Sequence, residues 1–284
     1  MQDRYVADVG DFGKYGLLRC LTGMTCSLSK PDLNLGVIWY LTPSCHGNEG
    51  DGMHLSYLNP KKRPKFEVCD AILYRKLNEI CNRITTNENG HRVRKSCYMR
   101  NEDRKDFQVG KSALKLIQES DLLPNALDYD KPLCANTDRA DWWKGARKKL
   151  KGSCDVVFMD PDNGLRVQYG NDCATLLERD ESGQKHISKE EICEVLNEWG
   201  ASAVVIYHHL GRHGGDHDNQ IRSIENALAK VAPKGTTIRA LRYRRGSSRA
   251  FFVLIQKKHH ILQSRIDSLA GSSWVQKKHF QIVI

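Results

Sequence analysis

Short continuous apolar runs alternate with helically spaced ones through the second half of the chain. Asp155–Met159 (DVVFM) and Ala203–Tyr207 (AVVIY) are rich in β-branched residues and flanked by polar positions, which predicts strands buried on both faces. Between them, Ser188-Lys189-Glu190-Glu191 has the spacing of a capping box, so a helix is predicted from Ser188 to Trp199 and ended by Gly200. Beyond the second run, Asn219–Val231 places Ile221, Ile224, Leu228 and Val231 on one face, with Asp218 as the expected N-cap. Thr237–Arg244 and Arg249–Gln256 then read as two strands joined by the tight turn Arg245-Gly246-Ser247-Ser248, a hairpin.

The first half is less regular. Lys14–Leu21 has helical spacing and Gly23 to end it. Leu35–Leu41 (LGVIWYL) predicts a buried strand, followed by a glycine-rich loop from Thr42 to Gly52. Helical spacing returns at Cys69–Ile84, Lys111–Glu119 and Asp138–Lys151, separated by the basic loop Lys61–Lys65 and a polar, turn-rich stretch at Thr85–Arg94. The expected architecture is a Rossmann-like three-layer α/β/α domain, with a mostly parallel sheet and a C-terminal antiparallel hairpin. The 284 residues suit a single catalytic domain over 1–284, with an inserted or capping subdomain at 53–135.

In an open sheet of this kind, ligands bind beyond the carboxyl ends of the strands. The loops after Leu41, Met159 and Tyr207 are therefore the places to look for chemistry. After Met159 the chain reads Asp160-Pro161-Asp162-Asn163-Gly164. A strand-ending turn needs one carboxylate to cap backbone amides; two carboxylates and an amide exceed that need. Asp160, Asp162 and Asn163 are accordingly the expected catalytic residues, with burial available to tune a carboxylate for general-base work. After Tyr207 come His208, His209, Arg212, His213 and His217, which makes His208 and His209 further candidates for acid–base work near neutral pH. Their spacing supports no metal site on a helix or strand.

The order strand, Asp-Pro, helix, strand, helix, hairpin resembles the class I S-adenosylmethionine methyltransferases. In the amino-methylating members a D/N-P-P-Y/F/W segment follows the fourth strand. Its first residue and a backbone carbonyl hold the target amino group, and its aromatic stacks on a flipped base. Asp160 and Pro161 match this segment; Asp162 and Asn163 stand where the second proline and the aromatic would be. Asp11-Phe12-Gly13-Lys14-Tyr15-Gly16-Leu17-Leu18 is similar to the G-G-K-x-x-L-L segment that opens DNA adenine methyltransferases and contacts the methionine part of the cofactor. The resemblance implies S-adenosylmethionine as cofactor, with Gly13 and Lys14 in contact with it. Thr42 and Pro43 would hold it after the first strand, where Thr42-Pro43-Ser44-Cys45-His46-Gly47 replaces a compact G-x-G turn.

Charge adds a partner to this picture. Lys plus Arg number 44 and Asp plus Glu 34, a net charge of +10, which favours polyanions and above all nucleic acid. Arg242, Arg244, Arg245 and Arg249 lie on the predicted hairpin and, with Arg212, are expected to contact nucleic acid. A second cluster is Lys61–Lys65; a third surrounds Lys148, where Trp142 and Trp143 are expected to stack on unpaired bases. The ten cysteines are scattered with no CxxC pair, so they read as reduced thiols of a cytoplasmic protein. Neither an apolar leader nor a membrane-length apolar run is expected. Three functions remain open from the residues: a base-directed methyltransferase, a DNA glycosylase or nuclease built on the same sheet, and an inactive nucleic-acid-binding module.

Overall fold

A computed structural model describes residues 5–24, 31–42, 54–85, 113–134, 136–170, 173–178, 185–211, 216–257 and 259–283. Pro43 and Arg212 lie outside these residues. The chain is a mixed α/β protein built on a seven-stranded sheet. In chain order the strands of this sheet are β1 (Leu35–Ile38), β2 (Leu127–Tyr129), β3 (Val156–Met159), β8 (Ala203–His209), β9 (Thr237–Tyr243), β10 (Arg249–Ile255) and β11 (Phe280–Val283). Their spatial order is β11-β9-β10-β8-β3-β1-β2. The four strands β2, β1, β3 and β8 pair in parallel, and β10, β9 and β11 extend the sheet by antiparallel pairing. From β1 the chain goes outward to β2 and returns to β3 on the other side, so the strand order reverses between β1 and β3.

Alternate strand residues enter two separate cores, as the two-residue period of a strand requires. Val37, Phe158, Val205, Phe251 and Val253 join one core. Helices α1 (Val9–Leu21), α3 (Ala71–Thr85), α4 (Ala113–Gln118) and α8 (His260–Ala270) also supply side chains to it. Ile38, Val157, Met159, Val204 and Phe252 join the other, together with α5 (Arg139–Leu150), α6 (Lys189–Glu198) and α7 (His217–Val231). The described helices of the 53–135 segment, α3 and α4 with the short α2 (Arg63–Glu67), pack through Phe66, Leu73, Leu77 and Ile117 into the same core as α1.

Several elements depart from the sequence reading. The hairpin does not form the outer edge, because β11 pairs outside β9 after α8 and the short α9 (Ser273–Gln276). The cap of α7 is Asp216, whose side chain accepts from the Asp218 amide; Asp218 lies in the first turn and binds Arg242 instead. Helix α1 begins earlier than the apolar spacing indicates, with Asp8 accepting from the Gly10 and Asp11 amides. The capping box of α6 forms as read, with Ser188 and Glu191 bonding each other's backbone amides. Trp142 and Trp143 are 5% and 3% exposed, so neither is a surface stacking platform. The described cysteines are free thiols, and Cys20, Cys69, Cys81 and Cys154 are buried.

Candidate active site at the carboxyl ends of the parallel strands

The point where the strand order reverses is where an open α/β sheet opens a crevice. Here the carboxyl end of β3 delivers Asp160, 2% exposed, whose backbone amide still donates to the Ile38 carbonyl of β1 at 3.0 Å. The Lys14 ammonium of α1 donates to Asp160 Oδ2 at 2.8 Å and also lies 3.0 Å from Asp11 Oδ1. Asp11 Oδ2 in turn accepts the Ala7 amide at 2.9 Å, which ties the network to the chain entering α1. The rings of Tyr15, Trp39 and Tyr207 surround the ammonium, with centroids 5.7 to 5.9 Å away. Thus two of the segments singled out in the sequence, 146 residues apart, meet in one buried ion-paired cluster.

The electrostatics of this cluster follow from burial and its excess of carboxylates. Burial, with Asp8 and Asp160 close by, pushes Asp11 up to about 6 against the opposing pull of Lys14. Burial alone would discharge Lys14, but Asp11 and Asp160 outweigh it and hold the ammonium above the usual lysine range.

Asp162 is half-buried, and its Oδ2 accepts the Thr42 hydroxyl at 2.7 Å, which joins the end of β1 to the turn after β3. Asn163 is exposed; its backbone carbonyl accepts the His209 amide at 3.3 Å. Gly164 has a φ of 95°, and a Cβ there would stand 2.5 Å from the His208 Cα, so only glycine fits this close crossing over β8. It leads into β4 (Gly164–Leu165), which pairs with β7 (His186–Ile187); β5 (Val167–Tyr169) and β6 (Ala174–Leu176) form a separate small hairpin.

The histidines divide. His208 is buried, and its Nδ1 accepts the Leu165 amide at 3.1 Å, which braces β4 against β8. Burial pushes its pKa down to about 3. His209 is exposed, with Nδ1 3.3 Å from the Leu210 carbonyl. A pH effect on folding follows. The unfolded chain protonates His208 near 6.5 but the folded chain only near 3, so its contribution is intact above pH 6.5 and is lost as pH falls toward 3. Between pH 7 and pH 5 wild type is expected to lose about 2 kcal/mol relative to His208→Asn, which keeps an acceptor but cannot titrate. Denaturant melts at both pH values measure this; a constant difference between the two proteins would refute a neutral His208.

The other expected residues have the following surroundings. Gly13 packs under Tyr243, whose ring atoms lie 2.5 Å from where a Cβ would be, and the Tyr243 hydroxyl donates to the Val9 carbonyl at 2.8 Å. Arg249 is buried, with its guanidinium on Ser247 and 3.9 Å from Asp8 Oδ1. Arg242 binds Asp218 and His217. Arg244 is exposed and reaches Gln281, and Arg245 donates to the Lys277 carbonyl. Lys148 is exposed in the last turn of α5, the turn that leads into the amino end of β3 and so away from Asp160.

Sequence reading missed the acidic end of β2. Asp128 accepts the Trp39 indole N–H at 2.7 Å, and burial pushes its pKa up to about 6. Asp130, half-buried, follows that strand and accepts from Gln118 at 3.1 Å. The available signal was the alternation Leu127-Asp128-Tyr129-Asp130, too short to register as a strand. Arg139 was also missed; it pairs with Glu191 and covers the Tyr40 ring at 4.8 Å from its centroid.

No protein-family model matches the chain, and a search of curated proteins gives no match. Among the described residues no helix is long and apolar enough to cross a membrane.

Proposed function

We propose that this protein is a Rossmann-like S-adenosylmethionine-dependent methyltransferase that acts on a base in nucleic acid. One observation carries the reading: Lys14 Nζ lies 2.8 Å from Asp160 Oδ2, so the two segments that resemble methyltransferase motifs adjoin where the strand order reverses. The order strand, Asp-Pro, helix, strand, helix, hairpin is retained in β3, α6, β8, α7 and β9–β10. Helices contributing to cores on both faces of the sheet support the three-layer arrangement.

The donor set suits the cofactor. The protein as a whole is basic, yet its strand ends are acidic: Asp11 and Asp160 flank Lys14, Asp162 follows β3, and Asp128 and Asp130 lie on and just after β2. A cationic ligand with a ribose diol fits such an edge, since an acidic residue after the second strand is the usual partner of ribose hydroxyls in dinucleotide-binding sheets. When bound, the cofactor supplies an electrophilic methyl group on a sulfonium. Asp130 would take the ribose, and the carboxylates around Lys14 would balance the positive charge. Asn163, exposed at the strand end, offers both a donor and an acceptor to a base edge. Asp162, held by Thr42, would receive a proton from the target group. Burial of His208 on the Leu165 amide removes one expected partner of a hydrolytic water, which favours transfer over hydrolysis.

Calorimetric titration with S-adenosylmethionine and S-adenosylhomocysteine tests this directly, and saturable binding of both is expected. Incorporation of a labelled methyl group into cellular RNA or DNA should fall roughly 10²-fold or more in Asp162→Asn. Absence of heat with either ligand would overturn the reading.

A further inference from the structure

Two of the basic clusters seen in the sequence become one surface in the fold, and a third pair of lysines joins them. The organiser is His279, which is fully buried and whose Nε2 donates to the Lys65 carbonyl at 2.9 Å. Its ring lies against Phe66, with centroids 4.6 Å apart, and its backbone carbonyl accepts the Arg244 amide at 2.9 Å. Arg245 then donates to the Lys277 carbonyl at 2.7 Å. These contacts place the start of α2, the hairpin tip and the turn before β11 side by side. Across residues 61–67, 244–248 and 277–279 there are eight Lys or Arg and one acidic residue, Glu67, which is paired with Arg63. Lys61, Lys62, Lys65, Lys277 and Lys278 are all exposed, and so is Arg244. Lys278 is held at a φ of 58° in the turn that His279 anchors.

This surface borders the crevice. The hairpin tip follows the carboxyl end of β9, and its Ser248 carbonyl accepts the Leu210 amide just beyond β8. From the tip, buried Arg249 leads to Asp8, the residue that caps α1 and stands close to the Asp11–Lys14–Asp160 network. The cluster on α5 lies apart from it: Lys148 and Lys151 sit at the carboxyl end of that helix, before the amino end of β3.

We propose that the surface formed by Lys61–Lys65, Arg244–Arg245 and Lys277–Lys278 binds the phosphodiester backbone of the nucleic acid and leads it to the strand-end crevice. The inference rests on the nucleic-acid reading above, and it excludes Arg242, Arg249 and the α5 cluster from the main binding face. Three observations favour a phosphate backbone: charge of one sign gathered from three chain segments, solvent exposure of the ammonium groups, and adjacency to the acidic site. Val68, 49% exposed, is the one large apolar side chain that the described part of this surface exposes strongly, which disfavours membrane insertion.

The test is fluorescence anisotropy with a labelled single-stranded RNA, the matching DNA strand and the DNA duplex, across a salt series, with anionic phosphatidylserine vesicles as a competitor. Three proteins are compared with wild type: Lys61→Gln/Lys62→Gln/Lys65→Gln, Lys277→Gln/Lys278→Gln, and Lys148→Gln/Lys151→Gln. The first two should each weaken binding by roughly tenfold or more and flatten the log–log salt dependence by about one unit for each phosphate no longer neutralised. The α5 variant should bind like wild type. Equal affinities and slopes in all four proteins, a weakening confined to the α5 variant, or binding to vesicles in preference to every oligonucleotide would overturn the proposal. Cofactor titration of the same variants separates the two ideas. Intact S-adenosylmethionine binding with unchanged nucleic-acid affinity refutes the surface alone; absent cofactor binding in wild type refutes the transferase reading alone.

Discussion

Lys14→Met is expected to destabilise the protein by about 3–5 kcal/mol and, on the proposed function, to remove S-adenosylmethionine binding. Lys14 is 5% exposed and lies between two carboxylates that are 1% and 2% exposed, so its removal leaves buried negative charge without a counter-ion. The pH dependence distinguishes this from simple loss of packing. Lys14 is the main influence lowering the Asp11 pKa, and burial, Asp8 and Asp160 all raise it. Without Lys14 the folded-state pKa of Asp11 rises further above its unfolded value. Stability is then greatest at low pH, where Asp11 is protonated in both states, and is lost as pH rises through the folded pKa. The gap between wild type and Lys14→Met should therefore narrow from pH 8 to pH 5. Lys14→Met/Asp160→Asn should recover part of the loss, because both members of one pair are then neutral. Thermal melts of the four proteins of this cycle at the two pH values provide the measurement. A pH-independent gap, or additive single effects, would show that the ion pair is not what Lys14 contributes.

The parts of the fold legible in the sequence were those whose residues face apolar surroundings on both sides. Val156–Met159, Ala203–Tyr207 and the second hairpin strand, β10, are buried almost throughout, so composition alone marks them. The capping box of α6 was equally legible, since its two partners are three residues apart. Elements at the sheet margins were not. β2 has the burial pattern exposed, half-buried, buried over three residues, and β11 is a four-residue edge strand with two half-buried positions. Neither carries enough pattern to stand out from a loop. The cap of α7 was misplaced by two residues because Asp216 and Asp218 both suit the position, and Arg242, 24 residues away, draws Asp218 into an ion pair.

The site divides in the same way. Asp160 and Asp162 were visible because they end a strand whose apolar run is unambiguous. Lys14 was visible only through a resemblance, and its partnership with Asp160 is a tertiary fact that no local pattern encodes. His208 reads as an exposed loop residue in sequence. In the fold, β8 runs on to His209, which buries the His208 ring and makes it a backbone brace.

Arg139 shows how far support for the site extends beyond the strand ends. Its Nε and Nη2 donate to the two carboxylate oxygens of Glu191 at 2.8 and 2.9 Å, a bidentate pair, and Glu191 is fully buried. The same carboxylate accepts the Tyr40 hydroxyl at 3.0 Å, while the guanidinium lies 4.8 Å from the Tyr40 ring centroid and 5.0 Å from that of Trp142. Tyr40 has a φ of 43°, a backbone conformation a bulky residue adopts only when its side chain is held. Two residues later Thr42 reaches Asp162. Arg139→Gln is accordingly expected to cost about 3–5 kcal/mol by stranding the Glu191 charge, a fall in Tm on the order of 10 °C. Tyr40→Phe, which removes one hydrogen bond and leaves the ion pair, should cost about 1 kcal/mol. Because the network sets the path of the chain from β1 to Thr42, the proposed binding of S-adenosylmethionine should also be weakened more by Arg139→Gln than by Lys148→Gln, which alters charge alone at a solvent-facing position. Calorimetry on the folded variants, at a temperature well below their melting points, tests this second effect. Affinity equal to that of wild type in Arg139→Gln would confine Arg139 to holding α5 against α6.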